Sequence, residues 1–198
     1  RAGTPRRPQP ASITVTIQSP TATPATTQRV AVHFAKGIRF NTRAFPTCSP
    51  RLIRALDSVR RCPRGSIVGH GRARAIGFIG DTQVPEDLTV TAVNSPRNTI
   101  QLFVFGANPV PIAEPISGTL RPGSGRYGHR LDVTIPRGLR EIFPGAFAPL
   151  VFFKVSVKAT TVVRVGRGAR AKRKRVSYVE TTGCPRGGWP FEARFSFD

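Results

Sequence analysis

What most limits the fold open to this chain is a two-residue alternation of apolar and polar side chains, repeated along its length and cut by Gly and Pro. Ile13, Val15 and Ile17 alternate with Ser12, Thr14, Thr16 and Gln18, and Val30, Val32 and Phe34 alternate with Arg29, Ala31 and His33. The pattern returns at Leu131, Val133 and Ile135, at Phe153, Val155 and Val157, and most clearly at Phe191, Ala193, Phe195 and Phe197. Successive strand side chains point to opposite faces, so each segment reads as a strand with one dry face. Gly and Pro occur 19 times each in 198 residues, Phe 13 times and Met not at all, which describes a turn-rich chain with a core of Phe, Val, Ile and Leu. Roughly nine or ten short strands are predicted, and so an all-β fold: a single β-sandwich or jelly-roll-like domain over residues 11–198. Residues 1–10, polar, basic and proline-broken, are expected to form a flexible arm.

One stretch departs from the strand pattern. Pro46 to Gly71 holds two of the three cysteines and the one clear helix signal. Ser49 suits an N-cap and Pro50 the first helical position, where its missing N–H costs nothing. Leu52, Ile53, Leu56 and Val59 then recur at helical spacing, predicting one short amphipathic helix near residues 50–60, lying on the sheet. Cys48 and Cys62 bracket this helix, and a bridge closing about 15 residues contributes on the order of 3 kcal/mol in the chain-entropy model. A straight helix across the whole interval would hold the two cysteines too far apart, so the helix must stop near Leu56 to Ser58. Beyond it, Gly69, Gly71, Ala73 and Ala75 give the next strand a face of small residues, which admits another backbone at close range.

The remaining segments are read more coarsely. Gly80 to Glu86 is expected to be an acidic loop, and Val110 to Leu120 an irregular, proline-broken edge. Residues 137–149 are expected to cover one end of the core, and residues 166–175 to form the tip of a long hairpin.

The chain carries 31 Lys and Arg against 10 Asp and Glu, a net charge of +21. Such a surface attracts polyanions, whether nucleic acid, anionic headgroups or acidic wall polymers, and the bland alternative is a basic composition without a ligand. The charge is densest at the hairpin tip, where Arg164, Arg167, Arg170, Lys172, Arg173, Lys174 and Arg175 fall within twelve residues, with Arg6 and Arg7 on the arm. These nine are the expected polyanion-binding residues. Aromatic residues do not interleave with them, so any nucleic acid would be held without sequence preference.

Signatures of enzymatic chemistry are missing. The sequence has no nucleophile elbow, phosphate-binding Walker loop, His-x-x-x-His pair or Cys-x-x-Cys, so a non-enzymatic protein without metal or cofactor is expected. Gly69-His70-Gly71 fails as a dinucleotide fingerprint, since Arg74 stands at its third position and no helix follows. Asp81, Glu86 and Asp87 lack the alternating spacing of a calcium loop and read as an acidic turn, and His33 reads as a solvated strand residue.

No stretch approaches the ~18 apolar residues of a membrane-spanning helix. The chain opens at Arg1 without methionine, and cysteines in a Gly/Pro-rich β chain suit an oxidising compartment, so export to the cell surface or medium is expected, with a trimmed N-terminus. The strand signal runs up to Asp198, from which a continuing chain is expected.

Two motifs carry a resemblance. Pro46-x-Cys48 followed by Cys62-Pro63-x-Gly65-Ser66-x-Val68-Gly69-x-Gly71-x-Ala73, and Tyr178-Val179 leading to Cys184-Pro185-x-Gly187-x-Trp189-x-Phe191, resemble a group of uncharacterised secreted proteins of high-GC actinobacteria. The resemblance implies export and the disulfide and supplies no catalytic residue. Members of that group carry a further C-terminal cysteine; here Cys184 is left odd, for an intermolecular bond or a partner outside this sequence. Together these readings favour an exported structural or adhesive protein whose arginine-rich face meets anionic polymers, with self-association through Cys184 or sheet edges. Two other readings stand beside it: a jelly-roll coat or nucleoprotein, and a carbohydrate-binding module or hydrolase using a face near Trp189 and Tyr178.

Overall fold

The protein is described here from a computed structural model that covers residues 2–19, 25–79, 82–144, 146–166 and 171–197. Strands take up 59% of the chain and helices 9%, which makes the fold all-β. In chain order the elements are β1 (Gln9–Ala11), β2 (Ile13–Gln18), β3 (Thr27–Ala35), β4 (Ile38–Phe40), α1 (Pro50–Leu56), β5 (Ile67–Ile79), β6 (Thr82–Ser95), β7 (Thr99–Gly106) and β8 (Ile112–Pro122). They continue through β9 (Tyr127–Thr134), α2 (Arg137–Arg140), β10 (Glu141–Phe143), β11 (Ala146–Phe147), β12 (Leu150–Val157), β13 (Thr160–Val165), β14 (Lys172–Ser177), β15 (Val179–Thr181) and β16 (Glu192–Phe197).

Nine strands form one antiparallel sheet in the order β16-β3-β9-β8-β7-β6-β5-β12-β2. The sheet curls, so that apolar side chains of all nine strands meet on its concave side. The facing layers of the expected sandwich are therefore opposite walls of a single sheet. The curl is tight between β5 and β12, and two glycines allow it. A Cβ on Gly71 would stand 2.0 Å from the Lys154 carbonyl oxygen, and one on Gly69 2.3 Å from that of Ser156. No side chain fits there, so only glycine lets β12 close in on the inner face of β5.

The stapled segment covers the outer, convex face. Helix α1 stops at Leu56, inside the expected window, because Asp57 takes a left-handed backbone (φ 44°) and Ser58 donates its N–H back to the Ile53 carbonyl. The chain doubles back and the Cys48–Cys62 disulfide closes with its Cα atoms 5.3 Å apart. Ile53, fully buried, packs with both half-cystines against Val93 of β6 and Phe103 of β7. Buried Asn94 fastens the segment from the other side. Its side-chain amide donates to the carbonyls of Thr42, Phe45 and Pro46, and its Oδ1 accepts from the Tyr178 hydroxyl at 3.0 Å.

Three expectations need correction. Of the loop read over Gly80 to Glu86, Thr82 to Glu86 belong to β6, which pairs with β5 as far as Ile79 and Thr82; Gly80 and Asp81 lie outside the described residues. The segment read as an irregular edge is the interior strand β8. It pairs with β7 from Thr119 back to Ile112 but with β9 only from Gly118 onward, so buried Pro115 sits where one flank is unpaired and its missing N–H is tolerated. The boundary of the basic arm also falls inside structure: Gln9–Ala11 is a strand paired with β15, and Gly3 donates its N–H to the Thr181 hydroxyl.

Candidate functional site

The concave side of the sheet is not filled by its own side chains. It encloses a cavity of about 490 Å³, walled mainly by apolar residues such as Val15, Val32, Leu102, Val104, Leu131 and Phe153. Of these, Val15, Val32, Leu102, Leu131 and Phe153 point inward yet are only half-buried. The small-residue face of β5 makes the room. Ala73, Ala75 and Gly77 line the cavity where longer side chains would fill it.

The two ends of the cavity differ. At one, Phe34 and Phe40 meet edge to face at 5.1 Å, with Phe45, Tyr178 and Val179 buried in the same cluster. At the other, the β7–β8 loop contributes Pro109, Val110 and Pro111, and α2 contributes Leu139. Residues 137–149 thus do cover one end of the core, as α2 and the small β10–β11 pair. Glu86 of β6 lies at this end, 4% exposed. Its Oε2 accepts the Val110 N–H at 3.1 Å, and its Oε1 has no hydrogen-bond partner among the described residues.

Its neighbour Asp87 is exposed and lies opposite Arg74, whose guanidinium holds it by two hydrogen bonds of 2.7 and 3.0 Å. That hydrogen bonding keeps the Asp87 carboxyl below its ordinary range. Two of the three carboxylates of the expected acidic turn, Glu86 and Asp87, therefore part company, one inside and one in solvent. The signal for Glu86 was in the alternation itself: Val84, Glu86, Leu88 and Val90 share a face, and Glu86 is the one charged residue in that inward row.

The expected polyanion residues fall on a separate element. Strands β13 and β14 pair only with each other, as a ribbon beside the main sheet. Register places Arg164 directly opposite Arg173, with Arg175 two residues along on the same face, and Lys172 and Lys174 on the other. All five are exposed, and no carboxylate pairs with them among the described residues. Arg167 and Arg170 lie outside the described residues. Arg6 and Arg7 are exposed just ahead of β1, which lies against β14, so the arm enters beside the base of the ribbon.

The open face expected near Trp189 and Tyr178 is closed. Tyr178 is fully buried, its hydroxyl spent on Asn94, and Trp189 is packed half-buried against the core. Burial pushes the Tyr178 hydroxyl pKa well above its ordinary value, which keeps it a hydrogen-bond donor. His33 is half-buried, its ring 5.1 Å from that of Tyr127. No group of three or more His, Cys, Asp or Glu side chains among the described residues is placed to hold a metal ion. No described helix is long and apolar enough to cross a membrane. The chain matches no family model, no curated protein and no solved structure.

Proposed function

We propose that this is an exported, non-catalytic binding protein that holds an apolar molecule inside its curled sheet. One observation carries the reading: apolar side chains from all nine strands surround a cavity of about 490 Å³, and several of them, Val15, Val32, Leu102, Leu131 and Phe153 among them, stay half-buried. Pockets of roughly 300–1,000 Å³ with apolar walls and few polar groups are the usual form of a small-molecule site. Transfer of a ligand's apolar surface into such a cavity is favourable by about 25 cal/mol per Å² removed from water.

The test uses N-phenyl-1-naphthylamine, a neutral fluorophore that brightens in apolar surroundings. Saturable 1:1 binding is expected. Ala75→Phe puts a ring into the cavity while leaving every other wall residue in place, and is expected to weaken the probe at least about tenfold while the circular dichroism spectrum is kept. Absence of saturable binding, or unchanged binding in Ala75→Phe, would overturn the proposal.

A second reading rests on a different observation, the cationic β13–β14 ribbon. Like charges directly opposite across a strand pair are destabilising, so Arg164 facing Arg173 is an arrangement that a polyanion would relieve. This supports contact with an anionic wall polymer, surface or nucleic acid, made by a part of the molecule other than the cavity.

A further inference from the structure

We propose that the cavity selects amphipathic ligands: an apolar body with a hydrogen-bond donor, hydroxyl or amine, at the end that meets Glu86. The inference rests on the cavity reading above and adds the identity of the ligand's polar end.

Glu86 is the argument. A carboxyl group 4% exposed in an aliphatic wall is expensive unless its oxygens are hydrogen-bonded. Oε2 has the Val110 N–H, which ties the β7–β8 loop to β6, but Oε1 has no partner among the described residues. Glu86 itself lines the cavity, at the end framed by Val110 and Leu139. Oε1 packs against Gly106, where a Cβ would stand 2.5 Å from it, so only glycine at that position leaves room for the carboxyl. A ligand lying along the cavity with its donor at this end would complete the hydrogen bonding of Oε1 once the carboxyl turns from Gly106 toward the cavity, and would keep its chain among the aliphatic residues. A ligand with only an acceptor at that end would leave Oε1 unpaired and add a second unpaired group beside it. Sites built to hydrogen-bond a ligand group reject the analogue lacking it far more strongly than a purely apolar pocket can.

The experiment compares 1-dodecanol with 1-methoxydodecane, which differ in the donor, as competitors of N-phenyl-1-naphthylamine on the intact chain. The alcohol is expected to displace the probe at a concentration about tenfold lower than the ether. Glu86→Leu is expected to erase that preference, read as the ratio of the two competitors' midpoints in the variant itself, so that any change in probe affinity cancels. Should Glu86→Leu fold poorly, Gly106→Ala, whose methyl displaces the carboxyl, is expected to erase the preference too. Equal competition by alcohol and ether in the wild-type protein overturns the inference while the cavity reading survives through the probe. A preference that persists in Glu86→Leu also overturns it. If the probe itself does not bind, both readings fall together.

Discussion

Several side chains in this protein are defined by what burial does to their charge. His129 on β9 packs edge to face against Phe40 with ring centroids 5.4 Å apart. Burial lowers its pKa below 6.5, against a smaller opposing effect from a backbone hydrogen bond at Ile38. For Glu180, burial acts to raise the carboxyl pKa, but hydrogen bonds from Arg39, Asn41 and the Ser177 backbone, together with the charge of Arg39, outweigh it and the net direction is down. Both folded-state pKa values are therefore depressed. Each group contributes stability that is present above its unfolded value and lost as pH falls through its folded one. Acid destabilisation should accordingly begin with His129 below about pH 6.5 and deepen in the carboxylate range as Glu180 protonates. Melting temperatures of wild type and His129→Gln across about pH 4 to 7 check this: the variant should lose the upper part of the slope and keep the lower. A slope unchanged by the substitution would assign it elsewhere. Glu180 and His129 gave no hint of this in the sequence, since burial of a lone charged residue depends on which distant strands meet it.

At the scale of elements, the β13–β14 ribbon is the part whose sequence and placement agree most directly. A basic run between two alternating segments predicts a hairpin, and Val165 pairs with Lys172 across it, but Lys172 to Arg175, expected in the tip at 166–175, are paired residues of strand β14, and 167–170 lie outside the described residues. Replacing Arg164, Arg173 and Arg175 by Ala should weaken binding to polyphosphate or to a duplex oligonucleotide. The slope of log affinity against log salt should fall by about one for each phosphate no longer neutralised. A slope unmoved by the triple substitution would place polyanion binding on another face. β8 shows the opposite relation. Prolines made it look like an edge, yet it lies inside the sheet, because β9 begins to pair with it only beyond Pro115. Local proline chemistry was read correctly; the stagger between neighbouring strands, which decides its cost, is a property of the pair.

For the molecule as a whole, a net charge of +21 spread over 198 residues is a self-repulsive load on the compact state. Few carboxylates are available to offset it, so raising ionic strength from about 10 to 150 mM, which shortens the screening length to about 8 Å, should raise the melting temperature. A fall would mean that the surface ion pairs, Arg74–Asp87 and Arg121–Asp132 among them, outweigh the repulsion. The sheet is open between β16 and β2, and Phe191, Phe195 and Phe197 stand 52%, 37% and 55% exposed on or beside the β16 edge. Alternation alone determined that this chain would be all-β and where most strands lie. Proline, glycine and cysteine placement determined that a short helix would be stapled at Cys48 and Cys62, and that β5 would carry a face too small to fill space. Those are local properties, set by side-chain period, proline and glycine stereochemistry and loop length. Only the tertiary structure decided that the layers are one curled sheet and that the small face of β5 opens a cavity, so that the inward row holding Glu86 lines a space rather than a filled core. Curl and cavity arise from the sum of strand registers and close approaches across the whole sheet, and no stretch of sequence shorter than the sheet contains that sum.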